Sequence, residues 1–410
     1  MPVTQDRSLV LSCSPLRRGR RAASLRLMLN PAFVYAATWL FVLLLYWLRL
    51  SELLEPLQAR TVTLVLGSSL AFLVGWMLEP WNTRGRLAVL NPDLSALSSA
   101  LRSPSTERRL AAAWTALALG IAFEVAFFGG APILGAVGIG PEILYTDFGI
   151  PGFHGVMNSL FYACCALQFS RILSGSSDRT IVLTLVALGY PLLGMSRQVL
   201  MSLLLQFVLI YFTFTRPSLR VFLRVGLVLV VAVLSFGYLG DIRSGREQIM
   251  TLASPTFEYP DWLPSAFIWF YIYLCTPLNN VNFNIDIDPN YLPLETAGTF
   301  IPSFAREGFL NALGSTRHWD LVTESFNVSS LLQSLLTDFG VGGAIVFTLL
   351  CGYGFSRMMR KSAKSPSALY AVIVLLHGIA LSFFANLLFH LVFMFEIAAI
   401  WWILSRKRKR

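Results

Sequence analysis

The chain has 410 residues, 55% hydrophobic and 13% charged, with a mean hydropathy of +0.64 and a formal net charge of +10. Soluble domains carry about 25% charged residues, which excludes that class. The bases sit in short loops between apolar runs long enough to cross ~30 Å of hydrocarbon, so they report membrane topology rather than a nucleic-acid partner. A transmembrane barrel is excluded as well, because it would alternate polar and apolar residues over ~10-residue segments.

An Arg-rich arm (1–30) precedes helix 1, at about 31–50, without a small-residue cleavage site between them. It reads as a cytoplasmic arm before a retained helix. Helix 2 covers about 61–78, and the loop after it, with Arg84, Arg86, Arg102, Arg108 and Arg109, reads as cytoplasmic. Helix 3 spans about 111–128 and exits into 129–152, a Gly/Pro-rich stretch with Glu142 and Asp147 but no Lys or Arg, read as external. Helix 4 covers about 153–173. Helices 5 and 6 flank a tight outer turn at 194–198, and helix 7 ends near 239.

These seven helices (31–239) deliver the chain to a long polar segment, 240–330, the one interval that is neither a membrane-length run nor a basic loop. Helix 8 follows at about 331–355. The apolar stretch 367–404 is too long for one helix and breaks near Asn386 into helices 9 and 10, before a basic tail at 406–410. The predicted fold is an all-α polytopic membrane protein of about ten crossings with both ends cytoplasmic and one large periplasmic segment. A weak apolar run at about 263–277 would make an eleventh crossing and put the basic 357–364 loop outside, so it reads as re-entrant or surface-lying. The five cysteines suggest no disulfide framework.

Arg197 directly follows a membrane helix. An Arg at the bilayer centre costs at least ~2.5–3.5 kcal/mol, whereas one in a tight turn reaches headgroup level. It reads either as an interfacial anchor or as an anion site, because the guanidinium fork matches phosphate geometry. Arg243 and Arg246 lie in a Gly-flanked outer turn; they either join Arg197 at a phosphate or pair with Asp241 and Glu247. His318, Glu307, Asp320 and Glu324 supply candidate general bases, each also readable as a solvated surface group.

Asp338, about two turns into helix 8, should be paired or face a hydrated cavity. Glu124, Glu396, His377 and His390 suit either a proton relay or structural pairing. Asp286 and Asp288 are two acids that would suit a divalent ion, and Asn327-Val328-Ser329 fits a glycosylation sequon. There is no phosphate-cradling Gly-rich loop and no zinc-type cluster.

Four features occur together: Ser196-Arg197 at an outer helix turn, an Arg-bearing turn after the next hairpin, a Tyr-x-x-x-Pro-Leu-x-Asn stretch from Tyr273 to Asn280, and Asn327-Val328-Ser329 followed by Asp338-Phe339-Gly340-x-x-Gly343. Together they resemble bacterial oligosaccharide repeat-unit polymerases, the O-antigen polymerases, over roughly 194–354. The resemblance implies a metal-independent glycosyltransferase without a cofactor, similar to membrane-embedded enzymes that use lipid-linked donors. Its substrates would be undecaprenyl-pyrophosphate-linked oligosaccharides, joined at the periplasmic face of the inner membrane for lipopolysaccharide or a related glycan. A chain-length regulator would be its protein partner. Arg197, Arg243 and Arg246 would hold the pyrophosphate. Tyr271, Tyr273, Asn279, Asn280, Asn282 and Trp319 would line a sugar groove, with Asn327 and Asp338 as support. A glycan ligase, with the same chemistry and another acceptor, and a lipid-linked-sugar transporter are the alternatives.

Overall fold

The computed structural model describes residues 29–79, 94–215, 219–314, 319–362 and 365–405. The basic arm up to residue 28, the loop bearing Arg84 and Arg86, His318 and the tail 406–410 lie outside these. The described residues are 73% helix and include no strand. Five helices among the described residues are long and apolar enough to cross a membrane: α2 (Ala59–Leu78), α4 (Pro104–Phe128), α6 (Phe153–Leu173), α8 (Arg197–Phe214) and α14 (Leu331–Ser362). Shorter apolar helices run beside them: α1 (Pro31–Trp47), α7 (Thr180–Leu193), α15 (Pro366–Ala380), α16 (Leu391–Leu404) and the apolar part of α9 (Leu219–Ser244). Short helices α3 (Leu94–Leu101), α5 (Pro132–Ala136), α10 (Arg246–Ala253), α12 (Leu294–Gly298) and α13 (Ser303–Ala312) connect them, together with α11 (Ala266–Phe283).

Leu70, Leu119, Ile181, Leu185, Leu227 and Leu350 are exposed on the flanks of these helices. Apolar side chains exposed in such number are stable against lipid and not against water. This is a helical membrane protein. In lipid, helix association rests on close packing, which favours small residues at contacts. The α2–α14 pair follows that rule. A Cβ on Gly75 would fall 1.9 Å from Leu349 O, and one on Gly352 2.1 Å from Phe72 O. Contacts advance together along both chains, from Gly67 beside Ile345, through Ser356 Oγ donating to Trp76 O at 3.0 Å, to Glu79 beside Arg360, so α2 and α14 run parallel.

Parallel register fixes which connections share an end. The α1–α2 link, the α14 N-terminus and the α15–α16 link lie together, the last because Leu331 N donates to Ser382 O at 2.8 Å. Ser159 Oγ donates to Val392 O, and Tyr190 Oη donates to Asn158 Oδ1, which brings the α6 N-terminus and the α7–α8 turn to the same end. The opposite end gathers bases. There Arg109 donates to Trp402 O (2.7 Å), Arg171 pairs with Glu107 (3.1 Å) and Arg360 pairs with Glu79 (2.8 Å).

Several boundaries differ from the sequence reading for local reasons. Helix α4 starts seven residues before the expected position 111 because Ser103 caps it, accepting from Thr106 N (3.2 Å), with Pro104 in the first turn. Arg108 and Arg109 are therefore helical. Helix α9 continues through Asp241 and Arg243, and Gly245 separates it from α10, so Arg243 and Arg246 flank a helix break. The helix carrying Asp338 is interrupted at Gly340 (φ 68°, ψ −178°), a conformation a side chain would resist. The interruption frees Thr337 O, which accepts from Asn290 N at 2.8 Å.

Candidate functional site

Helix α11 packs against the α1–α2 link through Tyr271, Asn279 and Asn282 and against the α15–α16 link through Tyr273 and Phe384. Its two halves do different things. The C-terminal half carries three buried asparagines, and a fourth, Asn284, caps it. Asn279 Oδ1 accepts from Tyr46 Oη (2.6 Å) and Glu55 N (2.9 Å), and its Nδ2 donates to Leu53 O (2.9 Å). Asn282 Oδ1 accepts from Gln58 N and Thr61 Oγ1, both at 2.8 Å. These two fasten residues 53–61. Asn280 Nδ2 donates to Phe326 O and Val328 O, and its Oδ1 accepts from Val322 N. Asn284 exchanges hydrogen bonds with the Asp320 backbone (2.7 and 2.8 Å). These two fasten 320–328. An amide satisfies both donor and acceptor backbone groups, which is why this residue type suits irregular backbone at a buried junction.

The N-terminal half of α11 is aromatic and faces a cavity of about 290 Å³. Ser196, at the α7–α8 turn, caps α8 and starts Arg197 into the cavity wall. The Arg197 guanidinium lies 5.4 Å from the Trp269 ring centroid and 6.0 Å from that of Tyr273. Trp269 is itself aimed, because Nε1 donates to Asp241 Oδ1 at 3.1 Å, while Asp241 also accepts from Ser265 Oγ. Met201, Leu381, Phe383 and Phe384 supply an apolar wall opposite, and Asn327 completes the lining. A guanidinium oriented by two aromatic faces at the rim of an apolar cavity suits an amphipathic anion, with its charge on the fork and its hydrocarbon against the phenylalanines.

A second cavity, of about 270 Å³, shares Tyr145, Ser196 and Gln198 with the first. It is lined by Glu124, His154, Asn158 and His390. Glu124 lies near the end of α4 and His154 in the first turn of α6. His154 Nδ1 is 3.0 Å from one carboxylate oxygen of Glu124 and 3.2 Å from the other, and Ile150 N donates to the same carboxylate at 3.1 Å. Gly149 (φ 111°) backs the imidazole so closely that a Cβ there would fall 2.6 Å from His154 Cγ. His390, the residue before α16, accepts weakly from Val392 N (3.4 Å). Burial, with Arg306 nearby, pushes its imidazole down to about 4.

The structure thus brings together Arg197, Tyr273 and Asn327 of the sequence-predicted residues and leaves the other described ones apart. Tyr271 accepts from Leu50 N (3.0 Å) and donates to Leu45 O (3.3 Å), closing the end of α1 instead of facing a sugar. Asn279, Asn280 and Asn282 are spent on loop backbone. Arg246 donates to Asp261 O and Leu263 O, neither to Asp241 nor to Glu247. Arg243 lies in the last turn of α9, with its side chain outside the described set. Glu307, Asp320 and Glu324 are exposed, Trp319 is half-buried, and none of them lines either cavity.

Asp338 accepts from Glu295 N (2.7 Å) and Thr296 N (2.9 Å), capping α12 and meeting the requirement that an intramembrane carboxylate be paired. Asp286 pairs with Arg60. Glu396 accepts from Gln206 Nε2 at 3.0 Å. His154 escaped the sequence reading. Its available signal was a titratable residue in the first turn of a helix that follows a Gly-rich loop. No protein-family model, curated protein or solved structure matches this chain.

Proposed function

We propose that this chain is a multi-pass glycosyltransferase of the bacterial inner membrane. It polymerises undecaprenyl-pyrophosphate-linked oligosaccharide repeat units into O-antigen or a related surface glycan at the periplasmic face. The observation that carries this reading is Arg197, stacked on Trp269 and Tyr273 at an apolar cavity. The prenyl chain lies along Phe383 and Phe384, and the pyrophosphate meets the guanidinium. As the glycosidic bond to phosphate breaks, charge grows on the leaving oxygen. A preoriented cation there stabilises the transition state more than the ground state. Arg197 takes this charge without a metal ion.

In this reading ten helices cross the membrane, the basic end faces the cytoplasm, and both cavities open on the periplasmic side with α11 lying across it. A cysteine placed at Ala312 should react with an impermeant reagent from outside, and one at Lys361 should not. The transporter alternative would use the interruption at Gly340, since broken helices carry transport sites. However, Asp338 beside it is occupied by the α12 backbone.

The decisive assay is purified protein in liposomes given lipid-linked repeat units on the periplasmic side, without nucleotide or ion gradient. Lipid-linked oligomers are expected. A ligase would need its separate acceptor, and a transporter would relocate glycan without making a new bond. Unchanged repeat units would reject the proposal.

A further inference from the structure

We infer that the cavity beside the Arg197 site is the acceptor pocket, with His154 as the base that takes the acceptor hydroxyl proton and Glu124 as the group that holds His154. This assignment rests on the glycosyl-transfer reading. It begins from the contrast between two adjoining cavities. The first has an arginine and a wall of phenylalanines, suited to a lipid-linked anion. The second is lined by the polar groups of Asn158, Tyr190, Gln198 and His154, suited to hydroxyls. They meet at Tyr145, Ser196 and Gln198, so a saccharide in one approaches a lipid-linked donor in the other.

The geometry selects the base. A carboxylate only accepts, so Glu124 fixes the imidazole proton on Nδ1 and leaves Nε2 as the acceptor of the neutral ring. The Glu124 side chain is 1% exposed and that of His154 is 29% exposed. Gly149 and Glu124 both lie on the Nδ1 side of the ring, away from Nε2. A buried carboxylate behind a histidine that opens on a cavity is the arrangement that orients a general base and stabilises its cation.

The step balances. The acceptor oxygen bonds to the anomeric carbon of the donor while the carbon–oxygen bond to phosphate breaks. That electron pair leaves on undecaprenyl pyrophosphate beside Arg197. The hydroxyl proton passes to His154 Nε2, and the imidazolium is held by Glu124 until it releases the proton to water.

The test uses the full chain in liposomes, with lipid-linked repeat units extracted from cells of the source lacking this protein. His154→Ala should slow oligomer formation by about 10²–10⁴-fold, and added imidazole should restore part of the rate. Glu124→Gln, which keeps size and the acceptor for Ile150 N, should lower kcat and leave the acceptor KM in place. The other titratable groups facing this pocket are His390, Tyr145, Tyr162 and Tyr190, with Arg306 beyond His390, and they remain in every variant. If His154→Ala fails to fold, His154→Gln and Glu124→Gln decide the matter.

A His154 variant that polymerises at the wild-type rate overturns the base role. So does a loss that imidazole does not relieve and that lies wholly in acceptor KM. If the wild-type protein itself forms no oligomers, the glycosyl-transfer reading falls and this role with it.

Discussion

The two halves of α11 show how one helix divides architecture from chemistry. In its first half Trp269, Phe270 and Tyr273 turn toward Arg197 or a cavity. From Asn279 onward its amides are consumed by the backbone of two loops. Both halves read as site residues in the sequence, because aromatics and asparagines together are what a sugar groove uses. The difference lies in satisfaction. Each amide at 279, 280 and 282 has its donor and acceptor matched by protein, which leaves nothing to offer a ligand.

The largest effect should come from the asparagine half. Asn279→Ala removes the acceptor of Glu55 N and Tyr46 Oη and the donor to Leu53 O. Orphaning buried groups of this kind should cost about 3 kcal/mol, read as a lower midpoint of thermal unfolding in detergent. The fraction that remains folded should keep its donor affinity. If affinity falls and stability holds, the division of α11 is reversed.

Acid should act on the cavity side first, because amides do not titrate. His390 has a folded pKa below its ordinary value, so the unfolded chain takes up its proton first. Its contribution is complete above about 6.5 and is lost as pH falls toward about 4. The loss should be of order 2 kcal/mol. His390→Asn, which can still cap α16, should flatten stability between those limits; an unchanged pH profile would remove His390 from the account.

A smaller effect is expected in the aromatic half. Tyr273→Leu keeps an apolar side chain against Phe326 and Phe384 and removes one face beneath Arg197. The loss of about 1 kcal/mol of cation–π attraction should weaken donor binding roughly fivefold with little change in unfolding midpoint. Equal damage to stability would make Tyr273 a packing residue.

Much of the helical frame was legible in the sequence, because membrane-length apolar runs carry their own signal. The helix expected at 153–173 appears as Phe153–Leu173, and the break expected near Asn386 falls between α15 and α16. The site was legible only in part. Arg197 announced itself as a charge at a turn between two apolar helices. The roles of Asn279 and Asn282 depend on partners more than 200 residues away, such as Tyr46 and Gln58, and no local pattern encodes those partners. Glu124 and His154 are separated by thirty residues and a glycine-rich loop, and only the fold of that loop joins them. The exposed acids Glu307, Asp320 and Glu324 were attractive because the segment is polar, yet polarity there reflects solvent.

The central claim is that Arg197 and the aromatic half of α11 hold a lipid-linked pyrophosphate. The most direct measurement is equilibrium binding of undecaprenyl pyrophosphate, against undecaprenol, to the protein in nanodiscs. The account predicts saturable binding of the pyrophosphate lipid and much weaker binding of the alcohol. Arg197→Lys should raise the Kd about tenfold or more, because Lys cannot reproduce the bidentate fork. Equal affinity for the two lipids, or an unchanged Kd in Arg197→Lys, would contradict it.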